Sequence, residues 1–469
     1  MNITTQNKFP LLELLQILKE MDDTISFDNK NPSLYRQRAN LLQQLGLNSI
    51  AKYDNWIAAF LEGKSDVNCY NQNYQITLTK DKFIQKYDSE KNHYYYEQLL
   101  YILSNDENFL SGIDPIHFLT RGGSLKQLGL FNLSLRDHND ALKNLNKYPA
   151  EYALACLNKS LLLMLCGDYA NGFKLYEKRW ETNYLSFSNP YSYKKQKQWN
   201  GEDIGKDILL IDNEQGIGDN IQFIRYAIIL KQQGLNIIVN NNKHINDFLK
   251  FNLAKYGITT TENRDEFNYI PAKYWVKMMS LPYLCKTRNH NIPLTSQYLY
   301  SSPAYIEKWK EKLPIKQNFT IGFVYSGSKD NPNYLRNIPL EQLKKLFSLN
   351  INFICLQKEI EESEISLMNE YDNVTTFSHE LNSFFDTSAI IEQCDLVITV
   401  DTSVAHLAAA MGKPTWILIN YIPDFRWGLN TDTSIWYQSV KLFRQNLNYD
   451  WSPVIEKVYQ ELFNIKSFK

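Results

Sequence analysis

At 469 residues the chain exceeds what one hydrophobic core serves, since single domains run to roughly 100–200 residues, so two or three domains are expected. Apolar residues make up 44% and charged residues 22%, a balance that excludes a disordered polymer. Fifty basic against 51 acidic side chains leave a formal charge of -1, which gives no whole-chain field for nucleic acid or an anionic membrane, and no nucleic-acid partner is expected.

The N-terminus, MNITTQNKFPLLELLQILKEMDD, reads as an amphipathic helix: Glu13 and Lys19 interrupt its leucines, and neither a basic leader nor a small-residue cleavage site is present. No stretch holds the roughly 18 consecutive apolar residues of a spanning helix, so no transmembrane segment is expected. Cys69, Cys156, Cys166, Cys285, Cys355 and Cys394 are scattered without a CxxC pair, which reads as reduced, buried thiols of a cytoplasmic protein.

Up to about Trp180 apolar residues recur every three or four positions and strand-like Val/Ile runs are missing, which predicts helices. In NPSLYRQRANLLQQLGLNSIAKYDNWIAAF, small residues at Ala39, Ala51 and Ala58 let two antiparallel helices approach, and Gly46 falls at the turn. The spacing of Pro32, Tyr35, Ala39, Leu42, Ala51 and Ala58 resembles the helix-turn-helix tetratricopeptide (TPR) repeat of about 34 residues. Two further units look similar, one with Gly129 and Ala141, the other with Gly167, Gly172 and Arg179, while the stretch from about Cys69 to Gly112 fits poorly. A helical bundle without a repeat superhelix is the alternative.

The polar stretch ETNYLSFSNPYSYKKQKQWNGEDIGKD breaks this pattern and places a domain boundary near Tyr191. Strands and helices then alternate: ILLID, GDNIQFIRYAIILKQQG, NIIVN and HINDFLKFNLAKYG. A second series begins at FTIGFVYSG and continues through LEQLKKLFSL, NFICLQ, DTSAIIEQC, DLVITVD, SVAHLAAAMG and TWILI. Such alternation predicts two doubly wound parallel lobes joined near Pro303 to Pro314.

Three segments follow strands, where open α/β sheets bind ligands. In EQGIGDNIQF, Gly216 and Gly218 permit tight turning, and Asp219 opens a helix; it serves either as a helix cap or as a general base facing a cleft. In YSGSKDNPNYLRNIPL, Ser326, Gly327 and Ser328 suit backbone donation to a phosphate and Arg336 offers a positive fork; a solvated turn with an incidental arginine is the other reading. In DLVITVDTSVAHLAAAMGKPTWILI, Asp401, Thr402 and Ser403 open a helix that carries His406 one turn in, an arrangement that suits a diphosphate, although a lone histidine on an alanine-rich helix also serves for packing.

GDYANGFKLYEKRW, ILLIDNEQGIGDNIQFIRYA, IGFVYSGS with Arg336, ICLQ, DLVITVDTSVAHLAAAMGKPTWILI, PDFRWGLN and SIWYQSVKLFRQ, in this order, resemble bacterial TPR-linked glycosyltransferases. The catalytic part of that family is similar to the heptosyltransferases and has the two-Rossmann-lobe GT-B fold. The resemblance covers about Asp168 to Leu462. It implies that Asp219 is the catalytic base, that Arg336 neutralises the leaving diphosphate, that Gln357 lies near the nucleoside, and that Asp401 to Ser403 with His406 hold the diphosphate. Gly216, Gly218, Gln222, Asp424 and Arg426 are further cleft candidates, and Trp427 with Asp424 and Arg426 serves either the cleft or the structure. Tyr325 stands where the family shows tryptophan, Asn420 and Tyr421 replace small or apolar residues, and Phe425 replaces a tryptophan.

The expected architecture is therefore α + α/β: a TPR-like helical domain over residues 1–190, a first Rossmann-like lobe over 191–312, and a second over 313–469 that ends in a helix. The expected function is an inverting glycosyltransferase with a nucleotide-sugar co-substrate and no metal, a protein or peptide acceptor met through the helical domain, and a homodimer. Transfer to a polysaccharide or lipid-linked acceptor, a hydrolase on the same two-lobed fold, and a scaffold whose α/β part only binds a nucleotide are the alternatives.

Overall fold

Glycines at helix ends shape the first part of the chain. Gly46 and Gly129, at φ of 79° and 77°, each close a helix and turn it back on its successor, a left-handed conformation costly for other residues. Pro32–Gln44 thus pairs with Asn48–Leu61, and Pro115–Gln127 with Phe131–Asn144. In this computed structural model the described residues are 11–63, 94–111, 115–182, 196–261, 270–313, 318–328 and 334–467. Cys69, the boundary near Tyr191 and the end of the join at Pro314 lie outside them.

Two compact units form. One holds the described residues up to Leu162, with short pieces from later in the chain; the other holds Leu163–Trp180 and nearly all that follows Gln196. In the first unit both helix hairpins are tied by a buried Arg–Asp pair at the same separation of 16 residues, Arg38 with Asp54 and Arg121 with Asp137. Arg38 also reaches Asp22 at 2.6 Å, on the helix Leu11–Phe27, whose buried Leu11, Leu14, Leu15, Leu18 and Ile25 form the expected apolar stripe. The third expected helix pair divides differently. Its second member, Tyr169–Tyr176, packs in the second unit because Tyr169 and Phe173 bury their rings there. Of the thiols, Cys156, Cys355 and Cys394 are buried as expected, Cys285 is half-buried, and Cys166 is exposed at a helix end beside the Gly167 turn.

The second unit contains two sheets, parallel in every pairing of their strands. The first runs in the order β1 (Lys197–Gln198), β5 (Tyr274–Lys277), β2 (Ile208–Asp212), β3 (Asn236–Asn240), β4 (Thr259–Thr261). The second runs β11 (Val440–Arg444), β10 (Thr415–Ile419), β9 (Leu396–Val400), β6 (Thr320–Val324), β7 (Asn352–Cys355), β8 (Val374–Thr376). TIGFV, LVITV and TWILI are buried throughout, as parallel strands covered on both faces must be. The chain leaves β6 toward β7 and β8 and returns to β9, so the winding direction reverses between β6 and β9; in the first sheet it reverses between β2 and β5. At such a reversal the loops diverge and leave a crevice beyond the carboxyl ends of the strands.

One polar cluster lies inside the first sheet. Asp212 is in register with Lys277 on β5 and Asn240 on β3; its carboxylate takes the Lys277 ammonium and, at 2.6 Å, the Asn240 amide. All three side chains are almost fully buried. A second internal cation joins the sheets. Arg225, on the helix Ile217–Gln232, is fully buried and donates to the backbone oxygens of Gln222 (2.8 Å), Pro293 (3.2 Å) and Trp436 (2.8 Å) and to the Tyr298 hydroxyl (3.0 Å).

Candidate active site

The loops that follow β2, β6, β7, β9 and β10 converge on one cavity of about 670 Å³. Asp219, Gly216 and Gly218 line it from the first sheet. Ser326, Gly327, Arg336, Gln357, Asp401, Thr402, Ser403, His406, Asp424 and Arg426 line it from the second. Gln222 does not line it: one turn beyond Gly218 it is fully buried, and neither atom of its amide has a hydrogen-bond partner.

Asp219 caps its helix and lines the cavity. At the third position of its helix, its Oδ2 accepts the Gly216 N–H at 2.9 Å, capping the helix start, while its Oδ1 takes a guanidinium N–H of Arg426. Arg426 in turn holds Asp424 at 2.7 Å and leaves its own Nε buried without a partner. Burial raises the carboxyl pKa of Asp219 above the usual range, with the carboxylates of Asp424 and Glu214 adding to it and Arg426 pulling the other way.

Opposite stands the helix Ser403–Ala410. Thr402 is its N-cap, with extended backbone and no side-chain cap bond, and its hydroxyl meets that of Thr399 at 3.2 Å. The amides of the first helical turn therefore have no side-chain partner at the cap, and the dipole of the helix adds positive potential there. His406 lies flat against Trp427, with ring centroids 5.3 Å apart, places Nδ1 at 3.0 Å from the Tyr437 hydroxyl and Nε2 at 3.8 Å from Asp401 Oδ1. Burial, then Arg426 and Arg225, lower its pKa well below the usual range. Burial and the neighbouring Asp424 raise Asp401 to about 6, against the pull of Arg426 and Arg336.

The two glycines are fixed by what lies against them. A Cβ on Gly218 would stand 2.8 Å from His406 Cδ2, and a Cβ on Gly327 would overlap the Arg336 guanidinium, which lies across it. Arg336 donates at 2.7 Å to the Asp401 carbonyl, so the loops after β6 and β9 are tied together across the reversal point. Gln357 donates to the Ser326 hydroxyl at 2.6 Å, and Asn337 accepts the Gly327 N–H at 2.9 Å. Residues 349–436 match the model of glycosyltransferase family 9 (heptosyltransferase).

The family 9 segment contains Gln357, Asp401, Thr402, Ser403, His406, Asp424 and Arg426, whereas Asp219 and Arg336 precede it. The chain is also 24% identical over 362 residues to protein FlbA of Caulobacter vibrioides, a match that takes in 71% of this chain and 58% of that protein. Among solved structures it is similar to the ADP-heptose lps heptosyltransferase II of E. coli (TM-score 0.38, 14% identity, 55% of this chain and 98% of that one). It is also similar to the iron-containing dodecameric glycosyltransferase TibC of enterotoxigenic E. coli H10407 (TM-score 0.36, 12% identity, 56% and 78%). Among the described residues no group of three or more His, Cys, Asp or Glu side chains is placed to hold a metal ion, and no helix is long and apolar enough to cross a membrane.

Two features escape sequence reasoning. The Asp219–Arg426 pair spans 207 residues, and no local pattern announces it. His244 enters the cavity wall from the loop after β3, where nothing around it in the sequence distinguishes it.

Proposed function

We propose that the chain is a glycosyltransferase that moves a sugar from a nucleotide-sugar donor to an acceptor hydroxyl by direct displacement with inversion. What carries the reading is the meeting, in one cavity, of an oriented carboxylate, Asp219, with a cationic and dipolar cluster built from Arg336, Arg426 and the start of the helix Ser403–Ala410. The acceptor O–H bond breaks toward Asp219, the acceptor oxygen bonds to the anomeric carbon, and the bond from that carbon to the diphosphate oxygen breaks. Both oxygens of Asp219 already accept one N–H, and each keeps a lone pair for the incoming proton. Its raised pKa makes it a better proton acceptor than an ordinary aspartate. Charge developing on the leaving diphosphate meets Arg336, the helix amides and the hydroxyls of Thr402 and Ser403; these supply the positive potential, so the proposal includes independence from a metal ion.

The test is release of nucleoside diphosphate from ADP-heptose, UDP-glucose and GDP-fucose, with and without chelator, for the wild-type chain and Asp219→Asn. General-base catalysis contributes about 100-fold or more, so a loss of that order is expected in the variant. Full turnover by Asp219→Asn would remove the base assignment, and loss of turnover with chelator would remove the metal-independent mechanism.

For the acceptor we propose a polypeptide recognised by the helical unit, read as TPR-like. Its helix Asn48–Leu61 presents Trp56 and Phe60, stacked with centroids 5.9 Å apart and both exposed, a surface suited to apolar peptide side chains. Mass spectrometry of co-expressed candidate proteins tests this; sugar found only on polysaccharide or lipid-linked precursors would refute it.

A further inference from the structure

The motif GDYANGFKLYEKRW has no part in the mechanism above, yet its side chains run to both walls of the cavity. It forms the helix Tyr169–Tyr176, capped by Asp168 accepting the Asn171 N–H at 3.1 Å, and the turn that begins at Glu177.

On the side of the first sheet, Arg179 is fully buried and grips Glu214 with two hydrogen bonds, Nε to Oε1 at 2.6 Å and Nη2 to Oε2 at 2.9 Å. Its Nη2 also reaches the Ser280 hydroxyl at 2.9 Å, and its guanidinium lies 4.0 Å over the Trp180 ring. Tyr176 receives the side-chain amide of the next loop residue, Gln215, whose φ of 62° is one that a non-glycine residue keeps only under outside restraint. Gly216 follows, and its N–H holds Oδ2 of Asp219.

On the side of the second sheet, the Tyr169 hydroxyl donates to the Phe425 carbonyl at 3.4 Å and accepts from Trp436 Nε1 at 3.2 Å, while the Phe173 ring meets Phe425 edge-on at 6.1 Å. Arg426 follows Phe425 and holds Oδ1 of Asp219. Both grips on the one carboxylate therefore hang from the same short helix and the turn after it, one through Tyr176 and Arg179, the other through Tyr169 and Phe173.

We infer that the helix Tyr169–Tyr176 with Arg179 is a positioning strap that fixes the two independent holds on the Asp219 carboxylate. A desolvated two-pronged Arg–carboxylate pair is directional enough to set a loop, and a second anchor on the other wall, at Tyr169 and Phe173 of the same segment, fixes the distance between the two holds. The strap is no part of either sheet and lies outside residues 349–436. Its catalytic meaning rests on the reading of Asp219 as the base; its mechanical meaning does not.

The experiment uses the full-length chain and substitutions that remove one hydroxyl each, Tyr176→Phe and Tyr169→Phe, alone and together. Hydrogen exchange without ligand reads the mechanics: amides of 213–219 and 425–427 are expected to exchange about 10-fold faster in the double variant, as loss of roughly 1.4 kcal/mol of local restraint requires, while those of β6 and β9 keep their rates. Unchanged exchange at 213–219 overturns the strap. Turnover of ADP-heptose, UDP-glucose or GDP-fucose reads the chemistry: kcat falls about 10-fold with donor KM within two-fold. In Tyr169→Phe the acid limb of the pH profile moves upward, because a loosened Arg426 no longer offsets the raised pKa of Asp219. In an Asp219→Asn background the same substitutions change kcat less than two-fold. An equal loss in both backgrounds overturns the role assigned to the strap. Full turnover by Asp219→Asn with the expected exchange pattern overturns the base reading alone.

Discussion

Replacing Gly218 by alanine puts a methyl group where the edge of His406 already lies. On an open helical surface the change would stabilise the fold by about 1 kcal/mol, because glycine gives up more chain freedom on folding. Here the new carbon would stand 2.8 Å from His406 Cδ2, 3.5 Å from Nε2 and 3.7 Å from the Ser403 Cα. Carbon atoms rest at about 3.5–4.0 Å, so the imidazole must retreat by roughly 0.7 Å or more. Trp427 closes the face of the ring and Tyr437 holds Nδ1, which leaves no free direction. Overpacking of this kind costs about 1–3 kcal/mol, and loss of the His406–Tyr437 hydrogen bond about 1 kcal/mol more. The net expectation is destabilisation of about 1–3 kcal/mol, together with affinity for ADP, UDP or GDP reduced about 5-fold or more, since the displaced ring pushes on the helix start at Ser403. Urea unfolding followed by tryptophan fluorescence and calorimetric titration with each nucleoside diphosphate measure the two effects. A variant more stable than the parent by about 1 kcal/mol that binds its nucleotide unchanged would refute the steric reasoning.

Three further experiments separate competing effects. Asp401, raised from 3.8 to about 6, binds its proton more tightly folded than unfolded, so its contribution is complete below pH 3.8 and is lost as pH rises through about 6. Asp401→Asn should therefore gain stability over the parent between pH 4 and 7, by on the order of 3 kcal/mol, and parallel urea midpoints across that range would contradict the assignment. Arg38→Ala takes the guanidinium from the buried Asp22 and leaves Asp54 with Arg136, and should cost about 3–5 kcal/mol, whereas Arg36→Ala, which breaks a half-exposed pair with Glu62, should cost less than about 1 kcal/mol; equal melting shifts would be the contrary result. Gly123→Ala, with nothing within 4 Å of the new methyl, should stabilise the helix Pro115–Gln127 by about 0.5–1 kcal/mol, while its neighbour Gly122→Ala, 3.0 Å from the His138 ring, should destabilise it.

The second sheet was legible because its central strands are apolar on both faces, so TIGFV, LVITV and TWILI stand out as unbroken runs. β1, β4 and β8 were not, since strands of two or three residues at or near a sheet edge carry lysine, glutamine and threonine and look like loop. The residues gathered at the cavity could be listed one loop at a time, because strand ends open toward ligands whatever the side chains are. What connects them could not. Arg426 reaches Asp219 from the far lobe, Arg336 binds a backbone carbonyl rather than a side chain, and Glu214 finds its partner 35 residues upstream in a stretch that reads as one more helix of the helical part. Periodicity reports the face that a side chain shows to its own element, and these contacts are made between elements.

The trio of Asp212, Lys277 and Asn240 at the ends of three neighbouring strands bears on how this sequence can drift. Loss of Lys277 or of Asp212 alone strands an opposite charge in the sheet interior, whereas an apolar pair of similar volume in both places restores neutrality. A library that randomises one position at a time will find both immovable. The same library built on the pair will find them replaceable, so their apparent rigidity belongs to the order of the steps and not to either residue.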